Sequence, residues 1–182
     1  MAIDAVTLGP QQAQAALLRA LTIGRHRPLV FMGPYGSRRI GMKFIVTDRE
    51  GIEAGIVVRS AYVVISIHDP GKCPAKVRKQ GGLRDVLVLA FHDAEPGEGT
   101  LPPPGIRLMT ADQAQEIRRF VERHKDDVGA VVVHCEQGVS RSPAVAAALC
   151  KLMGGDDGRF WREYQPNPHV YRLVLEASCW TK

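Results

Sequence analysis

Several short runs of apolar, largely β-branched residues are spaced along the chain, and such runs are typical of buried β-strands. The strongest are AYVVISI at 61–67, VLVLAF at 86–91 and GAVVV at 129–133, with weaker candidates at 29–31 and 43–47. Their side chains do not alternate between apolar and polar, as they would on a sheet with one face in water. The pattern therefore predicts a parallel sheet that is covered on both faces.

Segments with a helical spacing of apolar residues separate these strands. The clearest is 111–124, where an apolar stripe follows Thr110 and Gln113, a pair that fits a capping box. Strands that alternate with helices predict one α/β domain with a central, mostly parallel sheet and helices on both faces. We assign 29–182 to this domain and 1–28 to an N-terminal extension with a short helix. The other expected helices are at 10–22, 51–57 (one turn), 143–153, 159–165 and 168–178.

The composition fits a globular domain and excludes several other classes of protein. Of 182 residues, 45% are hydrophobic and 24% are charged, and no apolar stretch approaches the roughly 18 residues of a membrane span. The N-terminus lacks the early positive charge and apolar core of a secretory signal. Four cysteines without a CxxC pair point to a reducing compartment, so we expect a cytoplasmic protein. The net charge of +5 favours an anionic partner without choosing one.

The segment after the last predicted strand carries the candidate chemistry. In parallel α/β sheets, ligands bind at the carboxyl ends of the strands, where a tight loop and a helix N-terminus present backbone N–H groups to an anion. Gly138 supplies the freedom to curl around the anion, and Arg141 offers a planar fork for two phosphoryl oxygens. The same positive field favours the thiolate form of Cys135. The segment reads His134-Cys135-Glu136-Gln137-Gly138-Val139-Ser140-Arg141-Ser142.

This motif, HCx5R followed by serine, resembles the signature of the protein tyrosine phosphatase superfamily. The resemblance implies that Cys135 attacks phosphorus and forms a phosphocysteine intermediate. It also implies that Arg141 binds the phosphate, that Ser142 assists departure of the thiolate, and that His134 supports the loop. No metal or other cofactor is expected, because the loop and Arg141 supply the positive charge. The implied phosphate-binding loop comprises Glu136, Gln137, Gly138, Val139, Ser140 and Arg141.

The resemblance further implies an aspartate that protonates the leaving group. We choose Asp93, which follows a strand on a loop rich in glycine and proline and resembles the short acid loops of compact dual-specificity-like phosphatases. It stands farther upstream of Cys135 than is usual, and no Trp-Pro-Asp triplet is present. Asp69, in a turn after the preceding strand, is the alternative acid. Asp112 lies in the capping box and is assigned only a favourable charge in the first helical turn.

The residues of the HCx5R loop also indicate which class of substrate it accepts. Glu136 places an acid at the first variable position, which counts against polyanionic head groups and favours phosphotyrosine, or another singly phosphorylated group, in a protein or peptide. Strict tyrosine specificity and dual specificity both remain open. The loop 72–84 carries five basic residues. One interpretation is that they bind acidic residues beside a phosphosite, and the other is that they are only solvated. They are Lys72, Lys76, Arg78, Lys79 and Arg84.

Other hypotheses remain beside this one. Hydrolysis of an RNA 5′-phosphate is a rival, although no interleaved basic and aromatic surface for single strands is evident. A phosphate-binding module without turnover is a rival from a different class. Cys73 or Cys150 is a candidate to trap oxidised Cys135 as a disulfide, against the simpler interpretation of both as incidental thiols. The segment 165–171, QPNPHVY, resembles the Pro-Asn segment before the last helix of compact members and is interpreted as architectural.

Overall fold

The structure is a computed structural model, and it describes residues 41–97 and 102–177. The predicted extension 1–28, its helix at 10–22 and the strand at 29–31 lie outside the described residues. The assignment of 29–182 to one domain therefore stays a prediction. Within the two described ranges, no helix combines the length and the apolar character that crossing a bilayer requires.

Four parallel strands form one sheet, which confirms the predicted α/β class. The central position of β4 is evident from its register, because its last residue, His134, pairs with Thr47 on one side and with Ser66 on the other. The strand that leads into the candidate loop is therefore supported on both edges. The strands are β1 (Lys43–Thr47), β2 (Tyr62–His68), β3 (Leu83–Ala90) and β4 (Ala130–His134), in the order β1-β4-β2-β3.

The edge strand β3 begins earlier than its apolar run predicts. Its first half carries exposed Arg84 and half-buried Asp85, and farther along Val88 is 45% exposed. Because β3 has a neighbour on one side only, its outer positions tolerate polar side chains, and these hid the start of the strand. The segment 72–82 before it contains no helix, so it is the loop that the sequence predicts.

The helices fall close to the predicted positions. The 111–124 prediction is confirmed together with its capping box of Thr110 and Gln113. The helix after the candidate loop begins at Arg141 instead of Pro143, because proline is tolerated throughout the first turn, where backbone N–H groups have no partner within the helix. The helices are α1 (Arg49–Ala54), α2 (Ala111–His124), α3 (Arg141–Leu152), α4 (Gly158–Glu163) and α5 (Pro168–Glu176).

Both faces of the sheet are covered, but unequally. One face carries Val63, Ile65 and Val133 into the main core, where residues of α2, α3 and α5 pack against them. On the other face, Val64 and Val132 are covered by Ile52 of α1. Among the described residues, the rest of the cover comes from segments outside helices and strands that contribute Ile56, Val58, Ala75 and Val77. The prediction of helices on both faces holds, and within residues 41–97 and 102–177 the second face carries one short helix.

Candidate active site

The loop from β4 to α3 is curled tightly against the edge of the sheet. Gly138 has a φ of 69°, and a Cβ placed on it would lie 3.0 Å from backbone atoms of Thr47 and Asp48. From the opposite side, the carbonyl of Val139 accepts a hydrogen bond from the backbone N–H of Gln165 at 3.1 Å. The loop is therefore fixed between the end of β1 and the segment ahead of α5, in a shape that requires glycine at position 138.

Cys135 lies at the bottom of this loop. Only 2% of its surface is exposed, and its Sγ is 3.2 Å from the Oγ of Ser142, which is fully buried in the first turn of α3. A hydroxyl at this distance is within hydrogen-bonding reach of a thiol or thiolate. The sulfur therefore has one fixed polar neighbour and faces the cleft described below.

Arg141 is almost as buried as the cysteine, at 4% exposure. Its Nη1 donates to Asp69 Oδ1 at 2.7 Å and to the carbonyl of Phe91 at 2.8 Å. These two bonds tie the guanidinium to the ends of β2 and β3. Its Nε–H is also buried, yet it makes no hydrogen bond within the part of the chain that the structure describes. One donor of the fork is thus without an acceptor among the described residues.

Asp69 lies between two cations. Besides Arg141, it contacts Lys72, whose Nζ is 2.7 Å from Oδ2. Burial alone would raise the pKa of Asp69, but the hydrogen bonds and charges of Lys72 and Arg141 outweigh it and hold that pKa below its usual value. Asp69 is therefore a carboxylate that orients Arg141.

Asp93 is held at the rim of the loop by different partners. Its Oδ1 accepts a hydrogen bond from Ser140 Oγ at 2.8 Å and another from Asn167 Nδ2 at 2.9 Å. Neither partner is charged. The two predicted acid candidates are thus both brought to the cleft, one against the arginine and one against the loop rim.

His134 lies beneath the loop. Burial disfavours its charged form and lowers its pKa to about 4, although the neighbouring backbone of Cys135 acts in the opposite direction. The imidazole is therefore neutral at neutral pH. Both ring nitrogens are buried and make no hydrogen bond to the described residues, so the supporting role expected of His134 stays a prediction.

Glu136 differs from expectation in its surroundings. Its carboxylate is 3.1 Å from Nη1 of Arg49, and the backbone N–H of Arg49 also donates to the carbonyl of Glu136. A second guanidinium nitrogen of Arg49 donates to the carbonyl of Cys73. The negative charge of Glu136, which was expected to repel polyanions, is thus balanced by Arg49, a residue that the sequence analysis did not associate with it.

These side chains line one cleft over the loop. Two aromatic residues of the cleft, Trp161 and Tyr164, escaped the sequence analysis because they are far along the chain from the motif. Arg49 was missed for the same reason, whereas Asn167 lies in the segment that was interpreted as architectural. The cleft is lined by Asp69, Lys72, Asp93, Cys135, Glu136, Gln137, Val139, Ser140 and Arg141 among the predicted residues, and by His92, Trp161, Tyr164, Gln165 and Asn167 among the others.

Several candidates lie elsewhere. Asp112 is in the first turn of α2, as predicted. Cys73 is exposed, and Cys150 is half-buried with its Sγ 3.5 Å from the carbonyl of Asp156. Burial raises the pKa of the Cys150 thiol. Neither thiol lines the cleft, so the disulfide hypothesis stays a prediction. Within residues 41–97 and 102–177, no group of histidine, cysteine and carboxylate side chains is arranged to hold a metal ion.

Comparison with known proteins gives limited similarity. No family model matches the chain, and no curated protein does. Among solved structures, human tyrosine phosphatase-like serine/threonine/tyrosine-interacting protein is 21% identical, with a TM-score of 0.44 over 63% of this chain and 74% of that one. Human DUSP28 is 15% identical, with a TM-score of 0.45 over 74% of this chain and 90% of that one. At these values the similarities say nothing further about the activity of this chain.

Proposed function

We propose that this chain is a metal-independent cysteine phosphatase that hydrolyses phosphate monoesters through a phosphocysteine intermediate. The observation that carries the proposal is that Arg141 lines the same cleft as Cys135 and has a buried Nε–H that finds no acceptor among the described residues. Leaving a buried donor unsatisfied costs about 1–3 kcal/mol. A phosphate oxygen is the acceptor that an arginine fork suits best.

In the first step, the sulfur of Cys135 attacks phosphorus, and the S–P bond forms as the bond from phosphorus to the leaving oxygen breaks. The loop N–H groups and Arg141 stabilise the charge on the other three phosphoryl oxygens. Asp93 gives its proton to the leaving oxygen. We prefer Asp93 to Asp69 because Asp69 is held as a carboxylate between Lys72 and Arg141.

In the second step, water attacks phosphorus and the S–P bond breaks. Asp93, now a carboxylate, takes a proton from this water. The departing thiolate is stabilised by Ser142, whose Oγ is 3.2 Å from the sulfur. Inorganic phosphate leaves, and the enzyme returns to its starting protonation state.

The favoured substrate is phosphotyrosine in a protein or peptide. Trp161 and Val139 are apolar side chains of the cleft that are 42% and 38% exposed, and Tyr164 lines the same cleft. Such a wall suits an aryl group that follows the phosphate into the cleft. Dual specificity for phosphoserine or phosphothreonine is the alternative within the same chemistry. A reducing compartment such as the cytoplasm would keep Cys135 a free thiol.

The test is hydrolysis of p-nitrophenyl phosphate and of a phosphotyrosine peptide with EDTA present. We expect turnover by the wild type, none by Cys135→Ser, and a loss of about 10²–10⁴-fold for Asp93→Ala with the peptide. A phosphocysteine adduct should be trapped in Asp93→Ala by rapid denaturation and identified by mass spectrometry.

Other outcomes would select the rival functions. Binding of phosphate or phosphopeptide without any turnover would indicate a binding module and overturn the proposal. Release of phosphate from a 5′-triphosphorylated RNA, with none from the peptide, would move the substrate to nucleic acid. If Asp69→Asn abolished peptide hydrolysis while Asp93→Ala did not affect it, the acid would be Asp69.

A further inference from the structure

We propose that Asn167 is a positioning residue that holds the carboxyl group of Asp93 in the orientation needed to protonate the leaving oxygen. The inference rests on the proposed function. It assigns a specific task to a segment that the sequence analysis interpreted as architectural. The task depends on the side-chain amide of Asn167, which joins the candidate acid to two other elements.

The side chain of Asn167 is 4% exposed. Its Oδ1 accepts a hydrogen bond from the backbone N–H of Val170 at 3.1 Å and so caps α5. Its Nδ2 donates to Asp93 Oδ1 at 2.9 Å and lies 3.4 Å from the carbonyl of Ala94. Acceptor and donor are thus both used, which fixes the orientation of the amide.

The backbone of Asn167 is fixed as well. Its N–H donates to the carbonyl of Ser140 at 3.2 Å, so its position is tied to the phosphate loop. Pro166 and Pro168 flank it, and a residue before proline is restricted to extended conformations, as the φ of −64° and ψ of 116° show. Asn167 therefore presents its amide from a site set by the loop and by α5.

Two donors converge on one oxygen of Asp93. Ser140 Oγ and Asn167 Nδ2 both donate to Oδ1, at 2.8 and 2.9 Å. A proton on that oxygen would oppose both donors, so the proton of the neutral acid belongs on Oδ2. The pair of donors thereby selects which oxygen delivers the proton, and the rigid amide of Asn167 sets the plane of the carboxyl group.

This role predicts an effect that depends on the leaving group. Nitrophenolate departs readily without a proton, whereas the phenolate of tyrosine or of phenyl phosphate needs one. A misplaced Asp93 should therefore slow phenyl phosphate hydrolysis far more than nitrophenyl phosphate hydrolysis. A change that merely loosened the loop would slow both alike.

The test compares kcat/KM of full-length wild type and Asn167→Ser for the two substrates. Serine keeps an oxygen that can cap α5 but removes the amide donor. We expect a loss of about 10²-fold with phenyl phosphate, since misplacing a catalytic group by about 1 Å costs that much, and only about twofold with p-nitrophenyl phosphate.

Two controls separate positioning from stability. Thr110→Ala removes the N-cap of α2, away from the cleft, and should destabilise the protein without changing the ratio between the two substrates. In an Asp93→Ala background, Asn167→Ser should have no further effect, because the group that it positions is gone.

The outcomes are distinguishable from those of the proposed function. Equal losses with both substrates, or an Asn167→Ser loss that persists without Asp93, would overturn the positioning role while the phosphatase stands. Full activity of Asn167→Ser on phenyl phosphate would do the same. An inactive wild type would overturn both.

Discussion

Replacement of Gly138 by alanine tests whether the shape of the candidate loop, residues 134–142, depends on the contact with the end of β1. At a φ of 69°, an L-residue is in the left-handed region, which costs about 1–2 kcal/mol relative to glycine. The new methyl group would also lie 3.0 Å from three backbone atoms, the C and O of Thr47 and the N of Asp48. Backbone yields less easily than a flexible side chain, so overpacking adds about 1–3 kcal/mol.

A matched control exists in the same chain. Gly154 has a φ of 77°, and a Cβ placed there would meet nothing within 4 Å. It follows α3, where its N–H donates to the carbonyl of Lys151 and the N–H of Gly155 donates to that of Cys150, a Schellman cap. Gly154→Ala therefore carries the backbone cost without the contact.

Urea unfolding measures the two changes in free energy. We expect Gly154→Ala to lose about 1–2 kcal/mol, and Gly138→Ala to lose about 2–5 kcal/mol in total. Because relief of the contact must displace the loop from Thr47 and Asp48, kcat/KM of Gly138→Ala should fall by about 10²-fold, while Gly154→Ala keeps wild-type activity. Equal losses of stability and unchanged kinetics in both variants would refute the reasoning.

Three further predictions concern charges around the loop. Burial lowers the pKa of His134 from 6.5 to about 4. The unfolded chain therefore binds this proton at a higher pH than the folded chain does. As a result, the free energy of unfolding should fall by about 3 kcal/mol between pH 6.5 and pH 4 and stay constant below pH 4. Urea unfolding of His134→Gln over this pH range should show a smaller decline in the free energy of unfolding than the wild type shows. A decline as large as that of the wild type would contradict the assignment to His134. Asp69→Asn removes the carboxylate that orients Arg141, so kcat/KM for a phosphotyrosine peptide should fall by about 10–100-fold. Steady-state kinetics with this peptide measure the change, and a wild-type kcat/KM would exclude the orienting role. Arg49→Ala leaves the carboxylate of Glu136 without its cation near the cleft. Repulsion of roughly 1 kcal/mol between this carboxylate and an aryl phosphate should raise KM by about fivefold, and by less at high salt. An unchanged KM at low salt would show that Glu136 does not face the substrate.

Local signals in the sequence account for most of the elements. The capping box of Thr110 and Gln113 and the apolar stripe after it predict α2 with its observed bounds, because all the groups involved lie within a few turns of one helix. The β-branched runs predict β1, β2 and β4 to within one residue at either end. β3 is predicted less well, since an edge strand has polar residues on its open side, and these interrupt the apolar pattern.

The motif of the candidate site is also contiguous. Residues 134–142 combine thiol, glycine, arginine and hydroxyl in one loop, and the strand before it and the helix after it are both recognisable from their own residues. A loop of this length between two defined elements has few shapes, so the neighbourhood of Cys135, Gly138 and Ser142 follows from the sequence alone. The sequence does not contain the sheet order β1-β4-β2-β3, which depends on how distant strands pack.

The tasks of the carboxylates were decided by tertiary structure. Asp69 meets Arg141 across 72 residues, Asp93 meets Asn167 across 74, and Glu136 meets Arg49 across 87. Each aspartate follows a strand, and the sequence favoured Asp93 over Asp69 only by the composition of its loop and its resemblance to known acid loops. Their difference comes from the neighbours that the packed sheet places beside them, and a side chain has no charge or hydrogen-bond environment until the fold supplies one. The sequence by itself therefore determined the candidate nucleophile and the candidate anion-binding loop, whereas the fold determined which carboxylate contacts the arginine and which lies at the loop rim.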